Sequence, residues 1–162
     1  MINFSRARIA SVLLTSVALA VTATAASPAS SASATSTTTS PSAYAARLVT
    51  LTNQTRVNAG LPALQTSSCL APVASRWAAS MAQTQKMTHQ SLTTLENACP
   101  GWRTIGENIA VGNVSPDVLF NAWMNSPEHK ANILRTKFNQ QSLAVVRDPQ
   151  GHYWVSAEFA LR

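Results

Sequence analysis

"SLAVVRDPQGHYWVSAEFA", residues 142–160, changes the period of the chain. Two runs rich in Val and aromatic residues flank DPQG, a turn sequence, and Tyr153, Val155, Ala157 and Phe159 alternate onto one face. This stretch reads as a terminal β-hairpin. The segments before it have helical spacing instead. From Tyr44 to Asn58, Leu48, Leu51 and Thr55 recur at helical intervals and Gly60 follows as a stop. Leu70, Val73, Ala74, Trp77, Ala78, Met81 and Ala82 then form one apolar stripe, read as core, with Ser68 suited to cap it and Pro72 tolerated in the first turn. Two further helix starts share one grammar: Ser115-Pro116-Asp117 and Ser126-Pro127-Glu128. Helices first and strands last indicate an α+β domain. Between the helical stripe and the third helix, a stretch rich in Thr, Asn and Gly has no clean period and reads as a long connection, with short strands still open to it.

The beginning of the chain is not read as fold. Arg6 and Arg8 precede an apolar run that ends in small residues, the order of a secretory signal peptide over residues 1–26. The run is short for a membrane-spanning helix, so no stable membrane insertion is expected after cleavage. Residues 27–43 are dominated by Ser, Thr, Ala and Pro, without the apolar side chains needed to offset backbone ordering, and read as a disordered linker. Residues 44–162 remain as one domain, expected to be secreted and monomeric.

The chain of 162 residues carries a net charge of +6. Its basic residues from Arg47 to Arg162 are scattered, with no dense run or aromatic ladder, and read as solubilising surface charge rather than a nucleic-acid footprint. Cys69 and Cys99 are the only cysteines. In an exported chain they are expected to form one disulfide, closing a loop that contains His89; a reactive thiol is the alternative.

Signature motifs for zinc peptidases, serine hydrolases, nucleotide enzymes and thioredoxins are absent from the sequence. The chemistry-bearing residues that remain are few. His89 lies in "MTHQS", Glu107 in "GENIA" after Gly106, which permits a close backbone approach, and Glu128 and His129 open the later helix. Two imidazoles and a carboxylate have the composition of some hydrolytic zinc sites. Taken separately, a lone histidine on each of two loops is ordinarily just polar surface, so composition alone weighs against a shared site.

Three ordered stretches add to this reading. "LTNQTRVNAGLPAL", "GENIAVG" and "AWMNSPEHKANIL" resemble the CAP superfamily of cysteine-rich secretory proteins, antigen 5 and plant pathogenesis-related 1 proteins, in particular its bacterial secreted SCP-like branch. The resemblance covers residues 45–160. It implies a three-layer α-β-α sandwich with a central antiparallel sheet, and a cleft formed by His89, Glu107 and His129 that holds Zn²⁺ on His89 and His129 in some readings. The position of a second cleft glutamate in eukaryotic members is Ser126 here. Glu128, about 100° around the helix from His129, does not fill that gap. "GHYW" superficially resembles the family's GHYTQ signature but falls one strand late, so His152 reads as hairpin surface. The resemblance implies three roles: a binding module for a lipid, sterol, envelope or host component; a hydrolase or peptidase with Glu107 as candidate catalytic base and a His-bound metal or water; or a structural protein whose polar cluster only shapes the domain.

Overall fold

The computed structural model describes residues 38–162. The expected signal peptide and all of the expected linker up to residue 37 lie outside the described residues. Helix α1 (Pro41–Asn58) starts inside the stretch expected to be linker, because the Ser40 side chain accepts from the Ala43 amide at 3.2 Å and Pro41 takes the first turn. Its buried stripe is Tyr44, Leu48, Thr52 and Arg56. Leu51 and Thr55, expected on the buried face, are only half-buried. The stripe is rotated because a tyrosine and an arginine with long apolar stems fill the core at positions where the sequence shows polarity.

Arg56 corrects the reading of the basic residues as surface charge. Its side chain is fully buried. The guanidinium has no carboxylate among its hydrogen-bond partners: it donates to the carbonyls of Pro62 (3.0 Å), Ile133 (2.9 Å), Arg135 (2.9 Å) and Phe138 (3.0 Å). Two of these carbonyls come from the end of helix α5 (Pro127–Ile133) and just beyond it, where the backbone dipole is negative. Arg56 therefore ties the end of α1 to the segment entering the sheet.

Helix α2 (Leu70–Thr84) buries Leu70, Val73, Ala74, Ala78 and Met81, as its periodicity predicts. Its capping hydroxyl is Ser67, which accepts from the Leu70 amide at 3.2 Å, one residue before the expected cap, Ser68. The disulfide Cys69–Cys99 is formed, with Cα atoms 5.9 Å apart, and removes the thiol alternative. It joins the start of α2 to the end of α3 (Leu92–Ala98). The connection that lacked a period thus contains a short helix and, after it, a nine-residue strand, β2 (Thr104–Gly112). Helix α4 (Pro116–Met124) follows, capped by Ser115, whose Oγ accepts from the Val118 amide at 3.3 Å. Asp117 in its first turn pairs with Arg47 of α1 on the exposed surface, a pairing worth little in water.

Strands β3 (Gln140–Arg147) and β4 (Tyr153–Leu161) form the expected hairpin. A two-residue strand β1 (Gln65–Thr66) adds in parallel to β3, and β2 pairs antiparallel with β4 along its whole length, giving the order β1-β3-β4-β2. The turn is organised by Asp148, whose Oδ1 accepts from the His152 amide (2.8 Å) and whose Oδ2 accepts from Trp154 Nε1 (2.8 Å). Gly151 makes the turn possible with a φ of 91°. Burial pushes the Asp148 carboxyl upward, but Trp154, the His152 amide, Gln85 and the His152 ring outweigh it and hold it well below the usual carboxylate range.

Strand β4 is buried on both faces. Tyr153, Val155, Ala157 and Phe159 pack with Tyr44, Leu48, Phe120, Trp123, Ile133 and Phe138 of the α1, α4 and α5 side. On the other face Trp154 meets Met81 and Ile109, and Ala160 meets Leu70, Val73 and Leu95. Helices on both faces of a mainly antiparallel sheet make the α-β-α sandwich that the sequence resemblance implies.

Replacing Arg56 with Met keeps the apolar stem and strands the carbonyls. We expect a loss of about 3–5 kcal/mol in unfolding free energy, read by urea titration, with Lys at the same position recovering only part of it. A change below about 1 kcal/mol would show that water satisfies those carbonyls in place of the guanidinium.

Candidate functional site

The site forms where β2 lies at the edge of the sheet. Odd and even residues of a strand face opposite sides, so Glu107 shares the α2 side with Ile105 and Ile109, while Gly106 and Asn108 face α5. An edge strand leaves room for groups from both layers to meet around it. His89, from the segment after α2, comes from one layer and His129, on α5, from the other.

Gly106 explains the close approach that the sequence suggested. A Cβ built there would lie 2.9 Å from Asn132 Oδ1 and 2.9 Å from the Phe138 ring. Its absence lets Asn132 donate from Nδ2 to the Glu107 carbonyl (3.0 Å) and to Asn108 Oδ1 (2.9 Å). Asn108 in turn donates to the His129 carbonyl at 3.0 Å. Two asparagines thus clamp α5 to β2 and set the height of His129 above the strand.

On the opposite side His89 Nδ1 lies 2.5 Å from Glu107 Oε2. The imidazole side chain is 61% exposed, whereas the carboxylate is 5% exposed. An exposed ring is therefore held by a buried anion. The other oxygen of Glu107 accepts from Gln90 Nε2 at 3.0 Å, and the same amide donates to Glu158 Oε1 at 2.8 Å. Glu158 stands directly opposite Glu107 in the β2–β4 register and is completely buried. Ser156 Oγ donates to Glu158 Oε1 at 2.7 Å. Burial first, and then the charge of Glu107, push Glu158 up to about 8, with Ser156 and Gln90 opposing. Glu158 therefore keeps its proton at neutral pH.

His129 is half-buried, with its ring 6.2 Å from that of Trp123. Burial and then the field of His89 lower its basicity, against a smaller contribution from Glu128. Glu128 is exposed in the first turn of α5, as the helix geometry predicts. Ser126 occupies the N-cap of α5, its backbone carbonyl accepting from the Lys130 amide at 2.9 Å, and its side chain makes no capping bond. His152 lies in the hairpin turn beside Asp148, at 3.2 Å, away from these residues in the sequence and bonded to its own turn.

Among the described residues no group of three or more His, Cys, Asp and Glu side chains gathers as a metal-binding cluster. Each Glu107 oxygen carries one hydrogen-bond contact, to His89 and to Gln90, so metal ligation by His89, Glu107 and His129 would have to share those contacts.

Gln90, Asn108, Asn132 and Glu158 are the residues that sequence reasoning missed. One signal was available for Glu158: an acid at an interior position of a strand whose neighbours are all buried types.

Comparison with known proteins agrees with this architecture. The CAP description, cysteine-rich secretory protein family, matches residues 49–159. The chain belongs to the CAP family. The uncharacterized protein YkwD of Bacillus subtilis is 34% identical over 119 residues, covering 70% of this chain and 46% of YkwD. Among solved structures, an extracellular protein containing an SCP domain from Bacillus anthracis superposes with a TM-score of 0.66 at 23% identity, over 75% of this chain and 41% of that one. A cysteine-rich secretory protein from Staphylococcus aureus gives 0.64 at 26% identity, over 74% and 38%. The chain thus spans less than half the length of these three relatives. Among the described residues of this CAP domain, no helix is long and apolar enough to cross a membrane.

Two outcomes follow. Gly106→Ala forces Asn132 and Phe138 apart, so we expect about 1–3 kcal/mol of destabilisation by thermal or urea unfolding; an unchanged midpoint would mean that Phe138 gives way freely. For Glu158 the folded state holds its proton up to about 8, while the unfolded chain releases it near the ordinary value of 4.5. Between these limits the folded state binds more protons, so its stability falls as pH rises. The difference in unfolding free energy between wild type and Glu158→Gln should change across that window and level off above it. A difference independent of pH would show that Glu158 titrates normally.

Proposed function

We propose that this CAP domain is an exported, extracellular binding module that acts as a monomer and holds a lipid, sterol, envelope or host component at the cleft of His89, Glu107 and His129. The observation that supports it is the commitment of Glu107. A general base needs a free oxygen within reach of the proton it takes. Both oxygens of Glu107 are already accepting hydrogen bonds, and the carboxylate is buried beneath His89. Glu107 is therefore placed to orient an imidazole, with its remaining lone pairs largely shielded from solvent.

This arrangement also indicates what the ligand presents. With a neutral ring, Nδ1–H donates to Glu107 and the lone pair of Nε2 points outward as an acceptor. The complementary group is a hydroxyl, as at the polar end of a sterol, a glycerolipid or a glycan. Met87, close by in the chain and 51% exposed, offers apolar area next to it. Export is supported by the basic, apolar and small-residue order at the start of the chain and by the disulfide. The scattered surface charge gives no support to a nucleic-acid partner.

A hydrolytic reading is favoured by one observation, the His89–Glu107 bond, which is the orienting half of a carboxylate–histidine base. In that reading His89, and not Glu107, takes the proton.

Equilibrium binding to sterol, glycerolipid and glycan panels tests the proposal. We expect saturable binding to a hydroxyl-bearing ligand, weakened at least tenfold in the double variant His89→Ala, His129→Ala at unchanged fold. Absence of any saturable ligand, or binding untouched by the double variant, would overturn it. Cleavage of a peptide library that disappears in His89→Ala would establish the hydrolytic reading instead.

A further inference from the structure

We propose that Gln90 and Glu158 are positioning residues of the cleft: a neutral carboxyl buried in β4 holds the Gln90 amide, and that amide holds Glu107 in the orientation that fixes the His89 ring. The proposal rests on the reading above only in taking His89 as the group that faces the ligand.

The geometry is a buried chain of four contacts. Ser156 Oγ and Gln90 Nε2 both donate to Glu158 Oε1, at 2.7 and 2.8 Å. Gln90 Nε2 donates its second hydrogen to Glu107 Oε1 at 3.0 Å, and Glu107 Oε2 meets His89 Nδ1 at 2.5 Å. An amide nitrogen has two hydrogens, so Gln90 is fully used by the two carboxyl groups. Glu158 Oε2 is buried and has no partner. An ionised Glu158 would leave that oxygen bare in the core and would face the Glu107 anion across the strand pair, two large costs. A neutral Glu158, with its hydrogen on Oε2, still leaves that hydrogen without an acceptor, but it keeps Oε1 as a carbonyl acceptor and removes the buried charge, the larger cost. It also lets the Gln90 amide bridge the two carboxyl groups without a second buried charge beside Glu107.

The surroundings support a neutral acid. Glu107 is the charged group facing Glu158 from β2, and β3 places Ser142 opposite it. Helix α2, packed over this face, carries Arg76 as its single ionisable side chain, and Arg76 is exposed. No cation therefore offsets a second negative charge from these elements.

A purely structural Glu158 would affect stability and nothing more. A positioning Glu158 also sets which nitrogen of His89 carries the hydrogen, and ¹⁵N shifts of the His89 ring in the intact, histidine-labelled chain read this directly. In wild type the neutral ring should be held as the Nδ1–H tautomer. Glu158→Gln, which stays neutral and keeps an acceptor, should retain it. Gln90→Leu and Glu158→Leu should lose it, the two nitrogen shifts moving toward each other. Gln90 lies in a connection, so its variant remains informative if Glu158→Leu does not fold. A folded Gln90→Leu variant with the wild-type tautomer would overturn the proposal.

A second readout assigns the role to Glu158. In wild type the His89 shifts should show an inflection near pH 8, where the buried acid ionises, and this inflection should vanish in Glu158→Gln. Its persistence in that variant would remove Glu158 from the relay. Neither measurement involves a ligand. Failure of the binding panels with an intact tautomer response would therefore refute the binding function alone, and the reverse result would refute the relay alone.

Discussion

Both faces of β4 are buried, and the rest of the molecule is arranged to make that so. A strand at the centre of a sheet has its backbone satisfied by its neighbours, here β3 on one side and β2 on the other. Its side chains then need two cores. Tyr153, Val155, Ala157 and Phe159 meet α1, α4 and α5, while Trp154 and Ala160 meet α2 and the disulfide-linked α3. The three layers follow from this one strand. Arg56 and Asp148 serve the same end: the first holds the segment that leads into β3, and the second holds the turn that returns as β4.

The second core is not wholly apolar, and its polarity is what makes a site. Ser156 and Glu158 alternate with Trp154 and Ala160 on the α2 side of β4. A buried carboxyl in that position needs a donor, and the donor is a glutamine adjacent to the cleft histidine. Cross-strand register places Glu107 directly opposite. Two acids at that separation cannot both ionise cheaply, and the deeper one, Glu158, keeps its proton. The candidate site thus takes part of its charge state from the packing of the sheet. His89, exposed and held from below, is where this state reaches solvent.

Much of the fold was legible in the sequence because its signals are local. The α2 stripe, the Ser115 cap and the DPQG turn depend on neighbours within a few residues, and each stands where periodicity or turn chemistry puts it. The face of α1 was misread because Arg56 looks like surface charge until four distant carbonyls are brought around it. Strand β2 was hidden inside a segment read as a connection, since Gly106, Glu107 and Asn108 interrupt the apolar alternation that marks a strand. Those same residues build the candidate site. The signal was weak there, because a strand that carries buried polar groups cannot also carry a clean hydrophobic pattern.

By itself the sequence determined the α+β class, the terminal hairpin and the pairing of the two cysteines, and it nominated His89, Glu107 and His129 through resemblance to the CAP family. It also separated Glu128 from His129, since adjacent residues on a helix point apart. Only the tertiary structure decided that Glu107 is engaged at both oxygens, that a second acid lies opposite it, and that Gln90 joins the two. The physical reason is range. Helical stripes and turns are written in spacings of a few residues, whereas the partners of a buried carboxylate come from a loop and a neighbouring strand far along the chain, and only strand register brings them within hydrogen-bond distance.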